Sequence, residues 1–443
     1  MSPPETLKLT ETREPLLYGD LAAAACEAVE AILADLSARS MAEATSEELT
    51  ALSPLANGAA GIALFFAYAH LAFPERGLDD LCLQTFQEAL ATTAAEREGP
   101  SLFSGFLGVG WVLRHLEGRI FDADEDPGAE VESALLQGLA RYPDIWSAEL
   151  ISGLAGFGLY FLERLPGEGA RRGTERVIEL LAAQATEEGG TVSWFNPLQS
   201  MPASHRESYP NGYFNLGVSH GIPGAIGFLA AAHRRGVATG ESRRLAEGAV
   251  RWLLDHRLPA SSGSTFPGYA GPGIEPVPTR LAWCYGDPGV AMVLWLAGRA
   301  FAREDWEREA LAVARRAAKR GETDVSVVDA GLCHGTAGLA HTFHRLFRAT
   351  GDEALREAAL FWIQRTLDQR RPGHGVGGFS LAETGASGPG RWSEEAGFLT
   401  GAAGIALALL AALTPVEPEW DRVMLLSFPN GGEESRAHHD SAQ

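Results

Sequence analysis

A short phrase, Gly-x-x-Gly followed by about ten apolar residues, occurs seven times along this 443-residue chain. The first glycines of the seven copies are Gly58, Gly105, Gly153, Gly221, Gly286, Gly335 and Gly401. One copy alone would carry no weight, but seven copies spread along the chain indicate a repeat architecture. The runs that follow the glycines, such as GIALALLAAL, are apolar on nearly every side, which predicts helices that are buried all round.

A second kind of helix is predicted before each phrase. In DEALREAALFWIQRTLDQR, the residues Leu355, Trp362 and Ile363 fall at helical spacing with charges between them, which indicates one buried stripe. Similar segments lie at roughly 18–40, 78–96, 128–142, 171–187, 241–256, 304–320 and 352–370. We therefore predict an all-α fold, an α/α toroid in which seven outer and seven inner helices form a double ring. A single domain is expected over residues 1–443, with the repeats at about 18–415 and short tails.

The ends of the repeat array bear on whether it closes. An open solenoid needs terminal repeats with a polar capping face, yet the first and last inner runs are as apolar as the others. A closed ring is therefore favoured over the solenoid. The glycines are expected to allow close backbone approach and unusual dihedral angles at the start of each inner helix. A short strand is expected near 189–196.

The residue before each first glycine is polar in every copy: Asn57, Ser104, Ser152, His220, Tyr285, His334 and Thr400. The Asn, Ser and Thr residues are interpreted as helix N-caps. Histidine and tyrosine are poor caps, and a closed ring would turn all seven positions toward one mouth. We therefore expect His220, Tyr285 and His334 to converge although they lie far apart in sequence.

One position earlier, two adjacent copies carry a cysteine, Cys284 and Cys333. Neighbouring copies of a ring are neighbours in space, so these cysteines and His334 could share one Zn²⁺. The fourth tetrahedral position would stay open, and a thiol that binds there would be deprotonated and remain electron-rich. The alternative is a pair of buried structural cysteines beside a core histidine.

Charge and composition exclude some classes of protein. The formal net charge is −21 and no basic stripe is present, so a nucleic-acid partner is not expected. The N-terminus lacks a signal pattern, and the longest apolar run near the C-terminus is too short to span a bilayer. Four cysteines are too few for a disulfide framework. These features predict a cytoplasmic protein without a transmembrane segment, whose thiols are free or metal-bound.

Three motifs resemble those of a known family: SHGIPG (219–224), WCYGDPG (283–289) and CHGTAG (333–338). This is the lanthionine synthetase C-like family of lanthipeptide cyclases, and the seven phrases and the ending PEWDRVMLLS (418–427) extend the resemblance over nearly the whole chain. The resemblance implies an α/α toroid with a catalytic zinc. It also implies a Michael-type addition of cysteine thiols in a dehydrated precursor peptide to dehydroalanine or dehydrobutyrine, which forms (methyl)lanthionine thioether rings.

The resemblance also assigns roles to residues. It implies the zinc ligands Cys284, Cys333 and His334, the acid/base group His220, and the further active-site residues Tyr285 and Arg280. One position departs from the family: its aspartate four residues before the glycine of the third phrase is replaced by Glu149. Glu149 can still orient or charge a histidine, and Asp144 could substitute for it. Glu149 could also be an ordinary charge near a helix N-terminus.

The longest connections precede phrases four, five and seven, and are rich in Gly, Pro and Ser. We interpret them as loops that shape a peptide groove. His205 and His374 within them are interpreted as solvated, and His341 and His344 on the sixth inner helix as packed core residues.

Two other classes of function are alternatives to the cyclase. The first is a non-catalytic protein, or one that binds peptides or glutathione, on the same toroid. The second is another α/α-toroid enzyme: a glycosidase, which the phrases disfavour because they lack paired carboxylates, or a zinc prenyltransferase. No dehydratase domain is visible, so a cyclase would depend on a separate lanthipeptide dehydratase.

Overall fold

The computed structural model describes residues 13–40, 54–95, 99–122, 126, 128–201, 203–320, 326–385 and 388–427. Within these ranges, outer and inner helices alternate along the chain. They are α1 (Gly19–Ser40), α2 (Ala59–Ala72), α3 (Asp79–Ala95), α4 (Phe106–Leu116), α5 (Ala129–Arg141), α6 (Leu154–Glu163), α7 (Glu168–Gln184), α8 (Ile222–Arg234), α9 (Thr239–Asp255), α10 (Asp287–Phe301), α11 (Glu304–Arg320), α12 (Thr336–Thr350), α13 (Glu353–Asp368) and α14 (Ala402–Leu413). Odd-numbered helices are outer and even-numbered helices are inner. Every inner helix begins one residue after the first glycine of its phrase.

The ring closes through backbone hydrogen bonds between the residues that stand two before each first glycine. The N–H of each donates to the carbonyl oxygen of its equivalent in the next repeat. The bonds run from Ala56 to Phe103 (2.8 Å), Phe103 to Ile151 (3.2 Å), Ile151 to Ser219 (3.3 Å), Ser219 to Cys284 (3.4 Å), Cys284 to Cys333 (3.2 Å), Cys333 to Leu399 (2.8 Å) and Leu399 back to Ala56 (2.7 Å). We call these seven residues the hydrogen-bonded ring. Helix α14 also contacts α2, so the predicted toroid is confirmed and the open solenoid is excluded.

The second glycine of each phrase is required by close backbone approach. A Cβ at any of these positions would lie 1.9–2.4 Å from the carbonyl oxygen six residues earlier, as at Gly156 beside Leu150 O and at Gly338 beside Leu332 O. Side chains of the neighbouring repeat crowd the same place, since the Cβ of Leu102 would lie 3.1 Å from a Cβ at Gly156. The expected close approach is therefore present, and it is what lets adjacent inner helices begin against one another.

The expectation of unusual dihedral angles and of polar N-caps is wrong. The first glycines are all extended, for example φ −110° at Gly58, and they themselves occupy the N-cap position without a side-chain cap hydrogen bond. The preceding residues therefore stand one position too early to cap. Their side chains are used elsewhere: the Ser152 hydroxyl donates to Glu149, and the Thr400 hydroxyl to Asn57.

The inner helices are apolar all round because they are covered on both sides. Outer helices cover one side, and the segment that follows α14 packs on the other. In that segment the 3₁₀ turn Glu419–Met424 places the Trp420 ring 4.6 Å from the His341 ring and 5.6 Å from the Phe398 ring. The indole N–H of Trp283 donates to Met424 O at 2.8 Å. The segment thus contacts three different repeats, which fixes it inside the ring.

The long connections contain small sheets rather than loops alone. Their strands are β1 (Thr186–Glu188), β2 (Thr191–Ser193), β3 (Phe195–Asn196), β4 (Tyr213–Asn215), β5 (Tyr269–Ala270), β6 (Leu381–Gly385) and β7 (Gly388–Ser393). Strands β1 and β2, and β6 and β7, form antiparallel hairpins, while β3, β4 and β5 form one antiparallel sheet with Phe214 opposite both Phe195 and Ala270. The strand expected near 189–196 corresponds to β2 and β3. Strands β1, β4 and β5 are too short to show a periodic pattern, and β6 and β7 lie in a segment rich in Gly and Ser whose composition predicts a loop.

Along the described ranges, every helix falls short of the length and apolar character needed to cross a membrane.

Candidate metal centre

Two neighbouring members of the hydrogen-bonded ring place two cysteines side by side. Cys284 stands just before α10 and Cys333 just before α12, and the ring bond between them fixes their backbones. The ligand atoms of Cys284, Cys333 and His334 all lie within 4.8 Å of one another. A tetrahedral zinc with bonds of about 2.3 Å to sulfur and 2.0 Å to nitrogen separates its ligand atoms by roughly 3.5–3.8 Å. The three side chains therefore fit a zinc ion with small adjustments.

His334 has a further feature expected of a metal ligand. Its Nδ1 atom is buried and has no hydrogen-bond partner among the described residues. A buried polar atom without a partner is costly, and a metal would satisfy it. Cys284 is buried, whereas Cys333 and His334 are partly exposed, so one side of the cluster opens to solvent. That opening leaves room for a fourth ligand that the protein does not supply.

The two thiols are electrostatically unlike each other. A hydrogen bond from Cys333 lowers the pKa of Cys284 well below its ordinary value, against the effect of burial and with help from His334 and Arg280. The same hydrogen bond, together with burial, raises the pKa of Cys333. Arg280 donates from Nη2 to Cys284 Sγ at 3.9 Å. The predicted Arg280 thus lies against a candidate zinc ligand and stabilises its thiolate.

His220 forms an ion pair with Glu149, the residue that replaces the family's aspartate. Glu149 Oε2 accepts from His220 Nδ1 at 2.7 Å, and the carboxylate also accepts from the N–H groups of Ile151 and Ser152 and from the Ser152 hydroxyl. Burial lowers the pKa of His220, but the hydrogen bond and charge of Glu149 outweigh it, so the pKa is raised. The Cys284 thiolate adds to this rise, which means that His220 lies within electrostatic reach of the cysteine cluster.

Tyr285 lies between His220 and a group of other tyrosines. Its ring centroid is 6.4 Å from that of His220 and 5.6 Å from that of Tyr269. Its hydroxyl oxygen accepts from Asn215 Nδ2 at 2.8 Å. Burial raises the pKa of Tyr285, so the phenol stays neutral and keeps its own proton for donation. The structure places His220 beside Tyr285, and His334 beside Cys284, the residue before Tyr285.

The other four histidines singled out in the sequence lie in the core or in the connections. His341 and His344 are each 1 % exposed, and burial lowers the pKa of both. They are packed core residues, as interpreted. His374 is exposed in its loop. His205 differs from the interpretation as a solvated residue, because it is partly buried and its Nδ1 lies 3.2 Å from the hydroxyl of Tyr213. Asp144, the alternative to Glu149, is exposed.

Several residues near the site were missed at the level of sequence. Tyr209, Tyr213 and Tyr269 pack together with ring centroids 4.9–5.0 Å apart, and Tyr269 continues the group to Tyr285. No spacing rule could have found them, because they come from two different connections. Asp287 braces the connection before phrase five by accepting from Thr265 N and Phe266 N. A signal for it did exist, since it is the single charged residue inside the seven phrases.

Comparisons with known proteins agree with this architecture. A family model described as lanthionine synthetase C-like protein matches residues 53–425. "Glutathione S-transferase LANCL1" of Danio rerio is 26% identical over 325 residues, which span 69% of this chain and 72% of that protein. "Nisin biosynthesis protein NisC" of Lactococcus lactis subsp. lactis is 24% identical over 266 residues, 54% of this chain and 60% of that protein. The solved structure of nisin cyclase superposes with a TM-score of 0.71 and 19% identity, covering 90% of this chain and 96% of that one. Because the family model matches most of the length of the chain, the chain belongs to the lanthionine synthetase C-like family.

Proposed function

We propose that the protein is a zinc-dependent peptide cyclase, which adds cysteine thiols of a dehydrated precursor peptide to dehydroalanine or dehydrobutyrine. One observation carries the proposal: a cluster of Cys284, Cys333 and His334 lies beside a charged pair of His220 and Glu149. Ser219, next to His220, donates to Cys284 O within the hydrogen-bonded ring. A site for a thiol-binding metal and a proton donor thus occupy neighbouring repeats.

The cysteine cluster suits activation of a thiol better than activation of water. A bound zinc ion would hold the incoming substrate thiol as a thiolate. Because Cys284 and Cys333 as thiolates would already neutralise the dication, the incoming thiolate would keep its electron density and stay nucleophilic. Arg280, 3.9 Å from Cys284 Sγ, supports the charge of this cluster.

His220 would complete the addition by proton transfer. The substrate sulfur forms a bond to the β-carbon of the dehydro residue, while the π electron pair moves through the α-carbon onto the amide oxygen. His220, kept protonated by Glu149, then gives a proton to the α-carbon and restores the neutral amide. Solvent returns a proton to His220, and the proton lost by the thiol balances it. Neutral Tyr285 would serve as a hydrogen-bond donor to the developing enolate.

The peptide would lie along the connections that precede phrases four and five. Their sheet of β3, β4 and β5 carries Tyr213 and Tyr269, and the tyrosine group leads from there to Tyr285. Aromatic rings offer large contact areas at low entropic cost, which suits binding of many different peptide side chains. The net charge of −21 favours a peptide without excess negative charge.

The proposal implies partners and conditions. The dehydro residues would be supplied by a separate lanthipeptide dehydratase. Cys26, Cys82, Cys284 and Cys333 are all free, and the thiols of both enzyme and substrate must stay reduced. A reducing compartment such as the cytoplasm meets this need.

The first test is the zinc content of the purified protein and of its cysteine variants. We expect one zinc per chain in the parent, and loss of zinc in Cys284→Ala and Cys333→Ala. The matched control is Cys82→Ala, a free cysteine that is also buried but packs in outer helix α3, and it should keep its zinc. A parent that binds no zinc after reconstitution would overturn the proposal.

The second test measures the reaction. A synthetic peptide that carries one dehydroalanine and one cysteine keeps its mass on cyclisation but loses its free thiol, so it no longer takes up an alkylating reagent. We expect this change with the parent and not with His220→Ala. The same site could instead bind the thiol of glutathione, as the name of the Danio rerio relative suggests. Addition of glutathione to a dehydroalanine peptide that lacks cysteine, without cyclisation of the first peptide, would favour that alternative.

A further inference from the structure

Asp329 is a buried carboxylate whose second oxygen has no hydrogen-bond partner. The residue is 2 % exposed. Its Oδ1 atom accepts from the Gly331 N–H at 3.3 Å, within the same turn. Its Oδ2 atom is buried and without a partner in the described part of the chain. A buried carboxylate oxygen left unpaired is costly, so its retention requires a reason.

The unpaired oxygen lies toward His334. Asp329 Oδ2 is 3.8 Å from His334 Nε2, while the other ring nitrogen, Nδ1, is the buried atom without a partner. A histidine that binds a metal through one ring nitrogen characteristically donates the N–H of the other to a carboxylate or a carbonyl, which fixes the tautomer and the ring orientation. The two unsatisfied atoms, Asp329 Oδ2 and His334 Nδ1, therefore have one joint explanation.

We propose that Asp329 is the positioning residue of the candidate metal centre: its carboxylate accepts the Nε2–H of His334 and leaves Nδ1 free to bind zinc. This inference rests on the proposed zinc site. Closing the gap from 3.8 Å to an ordinary hydrogen-bond length needs roughly 1 Å of side-chain movement. Loss of this bond leaves the imidazole free to rotate and to adopt the wrong tautomer.

The loop around Asp329 holds its carboxylate in a fixed place. The Thr336 N–H donates to Asp329 O at 2.9 Å, so the loop folds back onto the start of α12. A Cβ at Gly335 would lie 2.6 Å from Asp329 Oδ1, so only glycine there allows this approach. The carboxylate is thus tied to the same turn that carries Cys333 and His334. That attachment is what a positioning role requires.

The competing explanation is that Asp329 only braces its turn through Oδ1. Asp329→Asn separates the two roles, because asparagine keeps an acceptor oxygen for Gly331 but removes the charge and places an amide where Oδ2 stands. Asp329→Glu keeps the carboxylate and serves as the conservative variant. The matched control is Asp352→Asn: Asp352 Oδ1 accepts from the N–H two residues on, at Ala354, and its side chain is 6 % exposed, but its other oxygen pairs with Arg315.

The test measures zinc affinity by competition with a chelator, together with the visible absorption of the Co²⁺-substituted protein. We expect Asp329→Asn to bind zinc 10–100-fold more weakly than the parent and to change the Co²⁺ spectrum. Asp329→Glu should recover part of the affinity, and Asp352→Asn should match the parent. Unfolding in urea without metal shows whether each variant is folded.

The outcomes separate this inference from the proposed function. A parent that binds one zinc, with Asp329→Asn binding equally tightly, would show that Asp329 only braces its turn. A folded parent that binds no zinc would instead overturn the proposed function itself. If Asp329→Asn fails to fold, the ring ¹⁵N shifts of His334 in the zinc-loaded parent decide instead: a proton on Nε2 and none on Nδ1 supports the inference, and a proton on Nδ1 refutes it.

Discussion

Replacing Glu149 by glutamine removes one charge from the site while keeping the shape of the side chain. In the structure, the carboxylate accepts four hydrogen bonds, from His220, from Ile151 N–H, and from the N–H and hydroxyl of Ser152, at 2.6–3.0 Å. Glutamine offers one acceptor oxygen and one donor group. Whichever way its amide is turned, the NH₂ group faces either the Ile151 N–H or the Ser152 N–H.

The cost follows from these contacts. One backbone N–H loses its acceptor, and the ion pair with His220 becomes a neutral hydrogen bond. A hydrogen bond to a charged group contributes about 1.5–3 kcal/mol to stability when it is fully buried, so either loss could cost that much. The His220 side chain is 47 % exposed, so solvent screens the ion pair and its share is smaller. We therefore expect Glu149→Gln to lower the free energy of unfolding by about 2–3 kcal/mol near pH 6.

The loss of stability caused by Glu149→Gln should become smaller as the pH rises. Because folding raises the pKa of His220, the stabilisation from its charged form is full below about pH 6.5, the ordinary histidine pKa. It is lost as the pH rises through the raised value. Urea unfolding should therefore show a larger difference between parent and Glu149→Gln at pH 6 than at pH 9. NMR titration of the histidine rings should show a lower pKa for His220 in the variant, and the alkaline decline of the proposed cyclase activity should move to lower pH.

The chain contains a matched control for this experiment. Glu163 Oε1 lies 2.8 Å from Nδ1 of His115, at the opposite ends of inner helices from the cysteine cluster. Glu163→Gln breaks a similar carboxylate–histidine pair and should leave the titration of His220 unchanged. An equal or higher pKa for His220 in Glu149→Gln would refute the reasoning, because it would mean that Glu149 does not hold the histidine in its charged form.

Four further substitutions test the fold. A Cβ at Gly156 would lie 2.2 Å from a carbonyl oxygen, so Gly156→Ala should lower the free energy of unfolding by about 1–3 kcal/mol or more. Gly138 lies on outer helix α5 with open space around it, so Gly138→Ala should raise the free energy of unfolding by about 0.5–1 kcal/mol. Urea unfolding measures both changes. Burial opposes ionisation of Glu163, but its histidine partner and nearby arginines outweigh burial and lower its pKa to about 2. The carboxylate should thus contribute stability that is full above about pH 4.5 and is lost as the pH falls toward 2, and Glu163→Gln should flatten acid unfolding. Trp283→Phe leaves a buried carbonyl of the C-terminal segment without its donor, which should cost about 1–3 kcal/mol in thermal or urea unfolding.

The helix pairs could be predicted because their signals are local. Each outer helix shows its buried stripe within one segment, and the predicted range 304–320 is the observed range of α11. Closure could be predicted because the first and last inner helices are as apolar as the others. The role of the polar residues before the first glycines could not be predicted, because a contact such as the one between the Ser152 side chain and Glu149, which replaces capping of a helix N-terminus, is not visible in the sequence.

The candidate site was accessible from sequence only where the repeat fixed the register. Cys284 and Cys333 stand at equivalent positions of adjacent repeats, and His334 directly follows Cys333, so their proximity followed from the register of the repeats. Asp329 and Tyr269 stand in connections that have no common register, and their contacts depend on how those connections fold. For the same reason His205 could not be recognised as a partner of Tyr213.

The hydrogen-bonded ring makes the location of the candidate metal centre depend on which side chains its equivalent positions carry. Phe103 and Ile151 are joined by the same 3.2 Å bond that joins Cys284 to Cys333, and Ser152 stands where His334 does. The backbone therefore offers several equivalent pairs of neighbouring positions around the hydrogen-bonded ring, and only one pair carries two cysteines. A triple variant, Phe103→Cys, Ile151→Cys and Ser152→His, should then carry a second zinc, and a stoichiometry of one would show that the pairs of positions differ in more than their side chains.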